Sequence, residues 1–135
     1  MANRIARSAF LVGSFGSLRG VLVDLLRQLD TSVLCFGRYE DCIWSLNDGN
    51  CSLVVVAMDS DKDDAMVLLE ACKKALPSPP ILVVVEQNDV GTAVAAMKAG
   101  ATECLEKPVR SDRLRSALET IFSPVSYTHL RAHET

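Results

Sequence analysis

Histidine is nearly absent from this chain: His129 and His133, both close to its end, are the whole supply among 135 residues. The folded body therefore lacks an imidazole for a Ser-His-Asp triad or for His-ligated metal chemistry. Aromatic residues reach only 5%, so the core must be built from the Val, Leu, Ile and Ala that dominate the 49% apolar fraction. Long hydrophobic runs are missing as well. The longest, Leu53–Met58 and Ile81–Val85, hold six and five residues, far below the ~20 that cross a bilayer. Arg4 and Arg7 precede an apolar stretch at 9–12, but it is shorter than the roughly 7 to 15 residues of a secretion signal, and a cytoplasmic location is expected. Net positive charge is lacking too: the formal charge is -3, which gives no footprint for a nucleic-acid backbone and argues against direct DNA contact. The five cysteines, Cys35, Cys42, Cys51, Cys72 and Cys104, are odd in number and contain no C-x-x-C. That pattern argues against a disulfide framework and a zinc ribbon, leaving reduced, mostly buried thiols that act as small hydrophobes.

What is present is a regular alternation. Runs rich in β-branched residues and Leu recur at 9–13, 32–36, 53–57, 81–85 and 102–106, and between them the apolar period changes from that of a strand to that of a helix. Leu18, Val21, Leu22, Leu25, Leu26 and Leu29 form one stripe; Tyr39, Cys42, Ile43 and Leu46 repeat the spacing. So do Ala65, Leu68, Leu69, Cys72 and Leu76, then Val90, Ala93, Val94 and Met97, and finally Leu114, Ala117, Leu118 and Ile121. Ser111 before Asp112 suits an N-cap, and Pro77 closes the third helix. The third and fourth strands read as unbroken apolar runs, the mark of central parallel strands covered on both faces. Length allows one domain. The expected fold is an α/β, doubly wound (βα)5 three-layer sandwich. Ligands in such sheets sit beyond the carboxyl ends of the strands, which singles out the loops at 13–16, 57–64 and 85–89, together with Lys107.

The segment 89–101, Asp-Val-Gly-Thr-Ala-Val-Ala-Ala-Met-Lys-Ala-Gly-Ala, followed by Thr-Glu-Cys-Leu-Glu-Lys107-Pro108-Val, resembles the second half of a two-component response-regulator receiver domain. It is most similar to the FixJ-type receivers that are joined to a helix-turn-helix output. The resemblance runs over about residues 8 to 121 and implies a CheY-like parallel sheet in the order 2-1-3-4-5. It also implies a set of working positions, most of which carry the wrong residue. The acidic pair that holds Mg2+ falls on Gly13 and Ser14, the phosphoacceptor Asp on Ala57, the hydroxyl residue ending strand four on Val85, and the rotating aromatic of strand five on Cys104. Lys107 alone is retained. The expectation is a degenerate receiver, or pseudo-receiver, because phosphotransfer needs nucleophile, metal and lysine together.

These loops suggest three other uses. Asp59, two residues past Ala57, is an alternative acceptor, but no acidic pair stands ready to bind a metal beside it. The run Asp59-Ser-Asp61-Lys-Asp63-Asp64 with Glu70 at the twelfth place has EF-hand ligand spacing, yet Asp64 occupies the position that needs Gly. Asp63 and Asp64 fit better as acids at a helix N-terminus. The glycines Gly13, Gly16 and Gly20, with Arg38 past strand two, suggest a loosened dinucleotide loop, although their spacing is not G-x-G-x-x-G. On the preferred reading Gly13 and Gly16 relax a loop that has lost its acids, while Gly20 permits close helix-sheet packing.

The expectation is therefore a non-enzymatic signalling domain with no metal and no cofactor, spanning 1–122. It would act through a protein partner or a homodimer, by way of a face carrying Lys98, Glu103, Arg113 and Arg115. The resemblance implies a DNA-binding output domain further along the chain. A nucleotide-binding Rossmann-like module is the alternative. Lys107 is expected to reach solvent or to pair with Asp59. Residues 123–135 have no core periodicity and read as an appended or disordered tail, in which His129 and His133 would sit at i, i+4 if helical.

Overall fold

The computed structural model describes residues 7–58 and 62–122. Its elements run β1 (Arg7–Val12), α1 (Leu18–Gln28), β2 (Thr31–Phe36), α2 (Tyr39–Leu46), β3 (Leu53–Met58), α3 (Lys62–Lys74), β4 (Ile81–Val85), α4 (Val90–Lys98), β5 (Glu103–Glu106) and α5 (Ser111–Phe122). Every pairing in the sheet is parallel and the strand order is β2-β1-β3-β4-β5, as the sequence predicts.

β3 and β4 are buried at every residue because alternate side chains feed two separate cores. Val54, Val56 and Met58 join Val83 and Val85 on the face covered by α2, α3 and α4. Leu53, Val55 and Ala57 join Leu82 and Val84 on the face covered by α1 and α5. With both faces occupied, neither parity of these strands can be polar. Each fully buried Leu contributes about 1.5 to 3 kcal/mol by leaving water, and Leu22, Leu26, Leu68, Leu69, Leu114 and Leu118 are all buried completely.

The element boundaries follow local chemistry. Gly100 takes φ +114 after α4, and Ala101 N donates to Ala96 O at 3.0 Å, ending the helix in a Schellman-like turn before β5. β4 enters through Pro80, whose carbonyl accepts from Val54 N at 3.0 Å.

Several expectations require correction, and Val21 of the α1 stripe is among the exposed residues. Apart from Ala93, which packs partly buried against the core, the α4 stripe faces out: Val90 is 69%, Val94 45% and Met97 47% exposed, while Thr92 and Ala96 are buried. Asp89 explains the rotation. Its carboxylate accepts both the Thr92 amide and the Thr92 hydroxyl, so a satisfied Thr turns inward with the small alanines. Leu76 lies past the end of α3 and is exposed. Ser111 stands inside α5 rather than capping it, and Leu114 N donates to Arg110 O. Gly20 permits no close packing, since a Cβ there would meet open space.

All five cysteines are free. Cys42 and Cys72 are buried, Cys51 and Cys104 half-buried and Cys35 exposed, so Cys35 departs from the expected burial because β2 is an edge strand. Burial pushes the Cys51 thiol up to about 11 and the Cys72 thiol up to about 12. A thiol whose folded pKa is raised stabilises the fold below its unfolded value and loses that contribution as pH rises through the folded one. Stability should accordingly fall above about pH 9, near where unfolded thiols ionise. A maleimide should label Cys35 in the folded protein and reach Cys42 and Cys72 only after denaturation. Equal labelling of all five before unfolding would contradict the packing.

Candidate functional site

The carboxyl edge of the sheet, where β1, β3, β4 and β5 deliver their loops, is the place for ligands in this topology. Gly13 leaves β1 at φ +105, a region that L side chains avoid. A Cβ built on it would lie 2.9 Å from the Ala57 carbonyl oxygen and 3.1 Å from Ala57 Cβ. The first loop thus rests with its backbone directly on the end of β3. Ala57 is completely buried, and its carbonyl accepts from the Tyr39 hydroxyl at 3.1 Å. Ser14 points to solvent, whereas Phe15 turns into the core beneath α1 and α5.

Val85, at the end of β4, is buried, and its carbonyl accepts from Lys107 N at 2.9 Å. The Lys107 side chain neither reaches free into solvent nor has Asp59 as its described partner, since Asp59 lies outside the described residues. Its Nζ instead donates to Glu86 Oε2 at 2.9 Å. On the same two elements, the Asn88 amide donates to the Glu106 carboxylate. Cys104 is half-buried, and its thiol is pushed up first by burial and then by Glu103 and Glu106. Sequence reasoning missed Glu86 and Tyr39. The available signal for Glu86 was an acid placed immediately after the fourth strand, in a loop already singled out.

The remaining candidates disperse. Asp59 and Asp61 lie outside the described residues, while Asp63, Asp64 and Glu70 sit on α3 itself, so the fifth, sixth and twelfth EF-hand positions are helical rather than a ligand loop. Asp63 and Asp64 stand in the first turn, where acids are favourable. Arg38 is exposed and engaged by Glu40, which raises its pKa chiefly through that hydrogen bond. Among the described residues, no three His, Cys, Asp or Glu side chains gather as a metal site.

Of the four residues expected on the interaction face, Glu103 and Arg113 approach to 3.5 Å and Lys98 is exposed at the end of α4. Arg115 belongs elsewhere: it donates to Gln28 of α1 at 3.1 Å. Beside Arg113 and Cys104 runs an open groove of about 610 Å3, bordered also by Glu106, Arg110 and Ser116. The exposed Val94 and Met97 of α4 form a shallow apolar depression with Ala93 and Lys98.

A family model described as the response regulator receiver domain matches residues 11–119. The chain belongs to this family. The receiver is 42% identical over 111 residues to the transcriptional regulatory protein FixJ of Bradyrhizobium diazoefficiens, covering 82% of this chain and 54% of that protein. It is 30% identical over 105 residues to the luminescence regulatory protein LuxO of Vibrio campbellii, covering 78% of this chain and 23% of the relative. The receiver therefore spans from about a quarter to about half of these curated relatives. Among solved structures, a response regulator receiver protein from Pseudoalteromonas atlantica superposes with TM-score 0.71 at 28% identity, covering 84% of this chain and 95% of that one. The receiver domain of NtrX from Brucella abortus shares the fold, with TM-score 0.72 at 23% identity and coverage of 84% and 96%. Like them, this receiver is a two-component response-regulator module. No helix among its described residues is long and apolar enough to cross a membrane.

The resemblance implies a magnesium ion held by an acidic pair after β1, beside a phosphoacceptor at the end of β3. The side chains at Gly13, Ser14 and Ala57 supply no carboxylate, and a hard cation needs oxygen ligands. The donor set in these positions does not fit the ion.

Proposed function

We propose that this receiver signals without the Mg2+-dependent aspartyl-phosphate cycle, as a pseudo-receiver that works by binding protein. The carrying observation is the seating of Gly13 on Ala57. A side chain at position 13 would meet the Ala57 carbonyl, and a methyl group ends β3 where a nucleophile is required. On this reading Gly13, Ser14, Ala57, Val85 and Cys104 are degenerate positions, Lys107 is a retained one, and the domain is no enzyme. Magnesium titrated into labelled protein should leave the amide signals of Gly13, Ser14, Ala57 and Lys107 in place. A saturable shift centred on those four would contradict the proposal.

The contact surface is the face made by α4, β5 and the start of α5. Its support is the outward rotation of Val90, Val94 and Met97 next to the Glu103–Arg113 pair, an apolar strip with charges able to fix a partner's register. The occupant is a second copy or an output segment, the latter consistent with relatives named as transcriptional regulators that extend well beyond the matched part. The site of action is the cytoplasm. Sedimentation of the wild type and Val94→Glu reads this directly: self-association through α4 should be lost in the variant. A wild-type dimer that survives the substitution would move the interface elsewhere.

A further inference from the structure

Lys107 has kept its charge in a crevice whose other working groups are gone, and the structure shows what now holds it. Its Nζ donates to Glu86 Oε2 at 2.9 Å, with the lysine side chain 28% and the glutamate 48% exposed. The contact joins the first residue after β4 to the first residue after β5. It does not stand alone. Lys107 N donates to Val85 O one residue earlier, and Glu106 Oε2 accepts from Asn88 N in the opposite sense. The segment 86–89 closes on itself through Asp89 N to Glu86 O at 3.2 Å, with Asn88 at φ +65, a conformation Asn tolerates better than most residues. Asp89 then caps α4 through Thr92. A continuous set of contacts therefore runs from Lys107 to the first turn of the helix that carries Val90, Val94 and Met97.

We infer that Glu86 is a built-in counter-anion: a carboxylate of the β4–α4 loop takes up the lysine and, with the Glu106–Asn88 contact, clasps that loop to the end of β5. This inference rests on the phosphorylation-independent reading and says how such a domain sets its loop: the anion that engages Lys107 comes from the chain itself. α4 is held in one placement because its entry is tied at two points to β5. The tie is graded in strength. Half-exposed ion pairs are screened by solvent and salt, so the clasp biases the loop by about two- to fivefold rather than fixing it absolutely.

Amide hydrogen exchange of the whole chain tests the clasp, because it reads local opening separately from global unfolding. Glu86→Gln and Lys107→Gln should each speed exchange across the β4–α4 loop and the first turn of α4 by about two- to fivefold at low salt, with β3 amides unchanged. Glu106→Ala should act on the same amides through Asn88. The exchanged pair, Glu86→Lys with Lys107→Glu, should recover most of the wild-type protection, and high salt should narrow the difference between wild type and single variants. Unchanged loop exchange in both single variants, or an exchanged pair no better protected than either of them, would overturn the inference. Phosphoryl uptake would sink the phosphorylation-independent reading instead, which keeps the two failures apart.

Discussion

Gly13→Asp lowers the stability of the fold by about 2 to 5 kcal/mol and supplies no functioning metal ligand. Two independent effects add. At φ +105 an L side chain is strained by about 1 to 2 kcal/mol. Its Cβ would also meet the Ala57 carbonyl oxygen at 2.9 Å, a contact with backbone that cannot rotate away, and overpacking of this kind typically costs about 1 to 3 kcal/mol. For a domain of this size the thermal midpoint should drop by roughly 10 °C or more. Ser14→Asp is the control. Ser14 is exposed, and a surface substitution there should stay within about 0.5 kcal/mol of wild type. Thermal unfolding of the two variants side by side gives the answer. A Gly13→Asp protein as stable as Ser14→Asp would show that the first loop is free to lift off β3, and the close approach of Gly13 to Ala57 would be lost as an explanation.

Ala57→Asp should be comparably damaging at neutral pH, by about 3 to 5 kcal/mol, the usual effect of an uncompensated buried charge. Ala57 has no exposure, the loop backbone lies against it, and the cation that would neutralise an aspartate is already held by Glu86. Desolvation should raise the folded pKa of the new carboxyl group above its unfolded value near 3.9. The sign of the pH effect follows. Such a group is least harmful below the unfolded pKa and becomes progressively more destabilising as pH rises through the folded one. Denaturant midpoints at about pH 4 and pH 7 should thus show the variant closer to wild type in acid, after allowance for the wild type's own pH dependence. An Ala57→Asp protein with wild-type stability at both values would mean that the crevice has kept room and partners for an acid.

Much of this architecture was legible in the residue pattern. The stripe of Leu22, Leu25 and Leu26 and the unbroken apolar runs of β3 and β4 each state their environment, because a helix against a sheet and a strand covered twice leave different periods. α4 misled for a physical reason. Its larger apolar residues repeat at helical spacing, but alanines and a capped Thr92 allow the opposite side of the helix to pack, and periodicity alone does not say which side the sheet will take.

The site divides in the same way. Which residues fill the loops could be read directly, including the methyl group at Ala57 and the cation at Lys107. How these residues meet in space could not. The close approach of Gly13 is a backbone conformation, and the Tyr39–Ala57 bond joins residues 18 apart in sequence. Lys107 and Glu86 are 21 apart and meet only because β4 and β5 lie in register, with Val85 opposite Glu106. Arg115 shows the converse, since a charge near the expected face in sequence turns out to reach α1.

The most direct test is the intact mass of the wild-type chain after incubation with a small-molecule phosphodonor and Mg2+. The mass should stay unchanged, with an acceptor-bearing receiver treated in parallel gaining one phosphoryl group. A stable phosphoryl adduct on any aspartate of this chain, Asp59 included, would contradict the account.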